Sequence, residues 1–286
     1  MKNIIFTFIL LTTVFTQSVQ AESLRVNTVW LKSNLNKESL VILDTRSKDI
    51  YEIGHIQGAI SFPDVLSYQQ KSTGGRIVEP DVIQELLRER GIDINSFVVV
   101  YDEGGLLDAA RVFWTLEVYG LKNVRILEGG FADWEKKSFP TTQDIPSITP
   151  SSYIAKVDHR RIASKFTTQL ATINPNQFVL DARANNAYKG EVSTAKRFGH
   201  IPSAINISVH ENFTEKSGTD RYLLNLSELK KVYSSIPQDN KVISYCAVGK
   251  ISSTNYLALR ELGYDVANYD ASWGEWGNDF SLPIEK

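Results

Sequence analysis

The chain has 286 residues, with 31 Lys and Arg against 33 Asp and Glu, a formal net charge of −2 and a single cysteine. That balance gives no electrostatic reason to expect nucleic acid or an anionic membrane as a partner. One thiol excludes an intramolecular disulfide framework and argues against a cysteine-rich metal centre.

The N-terminus opens Met1-Lys2-Asn3, runs almost wholly apolar over residues 4–15, and turns polar before Ala21. One early positive charge, a short apolar core and a small residue at a candidate cleavage point predict a secretory leader over residues 1–21. The apolar run is too short to span a bilayer comfortably, which takes about 20 residues. The expectation is therefore an exported protein, most simply in a bacterial periplasm, with no stable membrane association after cleavage. A lone thiol in an exported chain points to intermolecular pairing or to a reactive group.

Next, residues 40–43 form an apolar run ending in Asp44-Thr45-Arg46, which reads as a buried strand feeding a polar loop. Gly54-His55-Ile56 follows, then a predicted helix over 76–91 that Gly91 ends. A second strand at 97–101 leads into Asp102-Glu103-Gly104-Gly105. A helix over 109–119 stops at Gly120, a short strand covers 124–127, and Gly129 to Trp134 closes the series. These elements predict a first domain over 24–140. Residues 141–152, with Pro146 and Pro150, have linker composition.

The same order then returns in a second domain, 153–286. Strand 178–180 ends in Asp181-Ala182-Arg183, and the Gly199-His200-Ile201 turn follows. Residues 226–236 form a helix with Ser227 as a candidate cap, residues 242–245 form a strand, and a loop opens at Cys246. Asp44 and Asp181, His55 and His200, Asp102 and Cys246, and Trp134 and Trp276 are displaced by 137, 145, 144 and 142 residues. Near-constant displacement of four landmarks marks a duplicated domain. Strands alternating with helices predict the α/β class, with each copy a mostly parallel sheet flanked by helices.

The repeat also localises the chemistry. Cys246 sits where a strand ends and a helix begins, the edge at which open α/β sheets bind ligands. Backbone N–H groups there favour negative charge, and a thiolate is one such charge. The first copy places Asp102 where the second has Cys246, so only the second can do sulfur chemistry. His55 and His200 recur in both copies, which favours a structural role at the turn.

The motifs Leu180-Asp181-Ala182-Arg183, Gly199-His200-Ile201-Pro202-Ser203-Ala204 and Tyr245-Cys246-x-x-Gly249-x-x-Ser252 resemble the rhodanese family of sulfurtransferases in its tandem two-domain form. The resemblance covers nearly all of the chain after the leader. It implies an inactive N-terminal copy, a persulfide on Cys246 and a site near the domain interface. It also implies a six-residue loop, Cys246, Ala247, Val248, Gly249, Lys250 and Ile251, whose backbone amides cradle the sulfur. Ser252 would cap the following helix or donate to the persulfide, with capping the expected role, and Asp181 would hold the loop backbone. The donor is expected to be a small anion bound by Arg183 and Lys250, and the acceptor a thiol or cyanide. No metal or organic cofactor is called for, because cysteine itself carries the sulfur.

Ala247 and Val248 stand where thiosulfate-using relatives carry two basic residues, and Ile251 where arginine or threonine is common. These departures bear on the donor, with thiosulfate favoured and 3-mercaptopyruvate the alternative. Two other classes use a thiol on such a scaffold. A phosphatase loop is one residue longer and ends in arginine, unlike Ile251 and Ser252 here. A persulfide carrier or binding module would hold sulfur without rapid turnover.

Overall fold

In each copy a run of β-branched and aromatic residues, such as Phe97–Tyr101 and Lys241–Tyr245, is too apolar on both faces for an edge strand. Each becomes an inner strand of a parallel sheet. The protein is described here by a computed structural model covering residues 23–69, 75–214 and 221–286. The expected leader lies outside the described residues.

The strands in chain order are β1 (Arg25–Val26), β2 (Leu40–Asp44), β3 (His55–Ile56), β4 (Ala59–Ser61), β5 (Phe97–Tyr101), β6 (Val124–Leu127), β7 (Thr141–Thr142), β8 (Ile162–Ala163), β9 (Gln177–Asp181), β10 (Ile205–Asn206), β11 (Lys241–Tyr245) and β12 (Val266–Tyr269). One five-stranded sheet runs β1-β6-β5-β2-β4 and the other β8-β12-β11-β9-β10, both with every neighbour parallel. The two orders are the same, strand for strand. β3 pairs antiparallel with β7, and the corresponding turn of the second copy pairs His200 with Glu285.

Local boundaries follow local chemistry. The helix predicted over 76–91 is Pro80–Glu89. Pro80 is pre-set for a first helical position, while Ile77 just before it bridges to Tyr68 in extended form. Ser227 does not cap its helix. The helix starts at Leu226, so the Ser227 N–H is one of those needing a cap, and Asn225 supplies it at 3.0 Å in a capping box with Glu228.

The helix after each loop is buried almost all round: Ala109 to Val118 within Leu107–Val118, and Ser252 to Leu259 within Ser252–Glu261. A helix apolar on every side belongs inside a structure. These two pack against each other, with the Phe113 and Tyr256 rings 6.5 Å apart, and one hydrophobic core runs through both domains. Inside it, Glu117 accepts from Tyr256 Oη at 2.6 Å and from Arg260 Nε and Nη2 at 3.1 and 2.9 Å. The two sheets are thus locked by the helices that follow their loops, which brings both loops to the domain interface.

No described helix is long and apolar enough to cross a membrane. The continuous core makes the two domains one folding unit, and a single cooperative unfolding transition is expected by calorimetry. Glu117→Ala strips a buried carboxylate from Arg260 and Tyr256 and is expected to lower stability by about 3 kcal/mol in chemical denaturation. Two resolved transitions in the unmodified protein would contradict this packing.

Candidate active site

Strand β11 ends at Tyr245, and Cys246 opens a tight loop that closes at the Ser252–Glu261 helix. The thiol is 1% exposed. Gly249 has φ +73°, and a Cβ there would lie 2.3 Å from Asp270 O, so only glycine permits this turn. Gly75 of the first domain packs onto the same loop, where a Cβ would meet Val248 O at 2.1 Å.

The loop treats its carbonyls and its amides differently. Cys246 O accepts from Trp273 N at 3.0 Å and Ala247 O from Gly274 N at 2.8 Å. Gly249 O accepts three bonds, from Arg111 Nη1 at 3.0 Å, Asn268 Nδ2 at 3.0 Å and Ser253 Oγ at 2.9 Å. Lys250 O and Ile251 O take the N–H groups of Ser253 and Thr254. By contrast, no acceptor among the described residues meets the N–H groups of Ala247, Val248, Gly249, Lys250 or Ile251. The loop is partly open at Val248, which is 38% exposed, and a row of open backbone donors following a buried thiol suits an anionic sulfur.

The first copy shows what such a loop does with an anion. Asp102 occupies the corresponding position, and its own carboxylate fills the cradle. Oδ1 accepts from Gly104 N at 2.9 Å and Leu106 N at 3.1 Å, and Oδ2 from Asp108 N at 3.2 Å and Ala109 N at 3.3 Å. Burial, then the nearby Asp108 charge, pushes the Asp102 carboxyl upward, and these N–H groups pull it back. The first loop is self-filled, with outer carbonyls tied as in the second: Phe131 N to Asp102 O at 2.9 Å and Ala132 N to Glu103 O at 2.8 Å.

Ser252 does not cap the helix. Its N-cap is Ile251, without a side-chain bond, and Ser252 Oγ lies 3.4 Å from Cys246 Sγ and 2.7 Å from Asn268 Oδ1. Asn268 is oriented by its Nδ2 donating to Gly249 O and, at 3.1 Å, to Ser253 Oγ. The Ser252 hydroxyl has one proton. It can donate to Asn268 when the sulfur carries hydrogen, and turn to the sulfur when the sulfur is an anion.

The expected donor-binding cations are differently placed. Arg183 forks onto Asp181, with Nη2 at 2.6 Å from Oδ2 and 2.8 Å from Gly199 O, and lies over Trp273. Burial opposes its charge, and Asp181 more than compensates. Arg46 does the same in the copy without a thiol, with Nη2 at 2.7 Å from Asp44 Oδ2 and 2.7 Å from Gly54 O. Tyr101 and Tyr245 donate to the same two carboxylates at 2.5 and 2.6 Å. An arrangement repeated at the loop without a thiol holds a strand end, and that is where Asp181 and Arg183 stand.

Lys250 reaches across the interface to Asp64 at 2.8 Å and Asp108 at 2.5 Å. Burial works against its charge, yet the two carboxylates hold the ammonium above the usual lysine range. His55 and His200 each stack on a tyrosine at 3.8 Å and bond the carbonyl of that tyrosine through Nδ1 at 2.9 Å. Through Nε2 they also reach the segments packed on the turn, His55 to Asp144 O at 3.3 Å and His200 to Glu285 at 3.7 Å.

Arg111 was not legible as a site residue. It projects from the first domain, is wholly buried, and bonds directly to the Cys246 loop. The available signal was a lone charge in the apolar run Ala109-Ala110-Arg111-Val112-Phe113-Trp114. Among the described residues, no three His, Cys, Asp or Glu side chains gather as a metal site requires.

A model of the rhodanese-like domain matches this chain twice, over residues 27–137 and 164–279. A Haloferax volcanii protein provisionally named thiosulfate sulfurtransferase is 33% identical over 93% of this chain and 97% of its own length. The crystal structure of SseA from Escherichia coli, published under the heading of 3-mercaptopyruvate sulfotransferases, superposes with a TM-score of 0.78 at 26% identity, covering 88% of this chain and 99% of that one. The anaerobic ergothioneine biosynthesis enzyme of Chlorobium limicola shares the fold, with a TM-score of 0.80 at 20% identity over 92% of this chain and 70% of that one. Two matched domains, one loop with a thiol and one filled by its own carboxylate, place the chain in the rhodanese family of sulfurtransferases, in its tandem two-domain form.

Proposed function

We propose that Cys246 is the sulfur carrier and that thiosulfate is the donor. The Cys246 thiolate attacks the outer sulfur of thiosulfate, a new S–S bond forms, and sulfite leaves with the electron pair of the broken bond. The persulfide then gives its outer sulfur to cyanide or a thiolate, and the cysteine thiolate is regenerated. The observation that carries this reading is the row of open backbone donors in the loop of a single buried thiol, at a position where Asp102 of the other copy draws backbone N–H groups onto its carboxylate. A persulfide anion takes those donors without any protein group having to move.

Thiosulfate is favoured by the names of the sequence relatives. The likeness to SseA supports 3-mercaptopyruvate as the second reading. Lys250 is the loop cation best placed for either donor, and it would have to share its ammonium between the donor and Asp64 or Asp108. Arg183 would contribute chiefly by holding Asp181 and Trp273 in place. Export belongs to the same reading, on the early charge and short apolar run of residues 1–21.

Incubation with thiosulfate is expected to add one sulfur atom to the intact mass. Cys246→Ser abolishes the gain, and cyanide reverses it with release of thiocyanate. No gain from thiosulfate together with a gain from 3-mercaptopyruvate would move the donor, and no gain from either would refute the carrier role. Gly249→Ala places a Cβ against Asp270 O. It is expected to cost about 3 kcal/mol of stability and to lower kcat/KM at least a hundredfold, since strain at a positive-φ residue and displaced loop amides act together.

A further inference from the structure

Arg111 has 0% exposure, and its bonds go to neutral oxygens of three different segments. Nε donates to Ser67 Oγ at 3.2 Å, Nη2 to Ser67 O at 3.3 Å and Gly75 O at 3.1 Å, and Nη1 to Gly249 O at 3.0 Å. The guanidinium plane is covered by the Tyr68 ring at 4.1 Å and the Trp114 ring at 4.6 Å. No carboxylate among the described residues lies within ion-pair distance. A buried charge without a counter-ion is costly, and an apolar side chain of similar volume would fill the same space without that cost.

The groups whose charge acts on this cation are Tyr68, Asp270, Cys246 and Asp64. Asp64 is engaged by Lys250, as is Asp108 at the start of the same helix as Arg111. Asp270 spends its carboxylate on Ile77 N at 2.7 Å and Ala271 N at 2.8 Å, and burial favours its neutral form. Burial likewise keeps the Tyr68 hydroxyl protonated, pushed up to about 12. Cys246 is the reactive group among the four whose charge acts on Arg111.

We propose that Arg111, supplied by the domain that lacks a thiol, is a positioning residue for the Cys246 loop: it pins Gly249 O outward, so that the loop amides face the sulfur, and its buried charge favours the sulfur anion. The inference rests on the carrier role of Cys246. It gives the inactive domain a direct part in the chemistry, because the cation that balances the sulfur comes from across the interface. The bonds of Arg111 go to Ser67, Gly75 and Gly249. It acts through the loop carbonyl and through its field.

The test uses the full-length protein, in which Cys246 is the only cysteine, so thiolate absorbance near 240 nm reports one group once a Cys246→Ser blank is subtracted. Arg111→Gln keeps donors for the carbonyls and removes the charge, whereas Arg111→Lys keeps the charge and loses the fork. The thiolate midpoint of the Gln variant is expected to rise by about one pH unit or more, with kcat/KM for thiosulfate at neutral pH reduced roughly tenfold. The Lys variant should stay within about half a unit of wild type, because a nearby cation still favours the anion. Should the Gln variant fail to fold, Arg111→Met supplies the neutral arm and is read the same way. A folded neutral variant with an unchanged midpoint would overturn the proposal. If the wild type transfers no sulfur, the carrier reading fails instead, and the titration still judges the coupling of Arg111 to Cys246.

Discussion

Everything about this site depends on how one short loop disposes of its peptide groups. From Cys246 to Ser252 every carbonyl but that of Val248 is engaged, by Trp273, Gly274, Arg111, Asn268, Ser253, Thr254 and Ser244, while the amides of residues 247–251 meet no acceptor among the described residues. Backbone donors without a protein partner are satisfied by water or by a ligand. A protein that holds a row of them open has positioned them for something it does not itself contain. The surrounding fold can be read as the means of keeping that loop from relaxing. Strand β11 fixes its start, the buried helix fixes its end, Gly249 permits the turn, and Gly249 O is held from three directions.

The first domain presents the same device in a closed state. Asp102 accepts two loop amides and two from the first turn of the helix that follows, so its own carboxylate stands where the second loop has its thiol. Its contribution lies elsewhere, in the Leu107–Val118 helix that packs on its counterpart and sends Arg111 to the second loop. The two copies of one fold differ at this position, Asp102 in one and Cys246 in the other. In the proposed reading one carries the sulfur, and the other shapes and charges the place where it is carried.

Much of this could be read from the sequence, and the exceptions have physical reasons. The repeat, the α/β class and the meeting of strand, thiol and helix at Cys246 follow from apolar periodicity and from the displacement of a few landmarks. Ser252 was expected mainly as a cap, yet Ile251 starts the helix and frees the hydroxyl for the sulfur and Asn268. Asn268 itself lies on β12, a strand whose only sequence signature is burial. Arg183 follows an acid at a strand end, as Arg46 does, and the same repetition that marked the histidines as structural applies to this pair. Lys250 is in the loop, but its carboxylate partners, Asp64 and Asp108, come from the other domain, and pairing over so long a sequence separation leaves no local pattern. Arg111 is hidden for the same reason: its environment is made by three distant segments.

The most direct test of this account is a crystal structure of the protein after treatment with thiosulfate. It should show a second sulfur bonded to Cys246 Sγ, surrounded by the N–H groups of residues 247–252 and by the Ser252 hydroxyl, with Gly249 O still held by Arg111. A second sulfur turned away from the loop, or loop amides taken up by protein acceptors in the persulfide state, would contradict it.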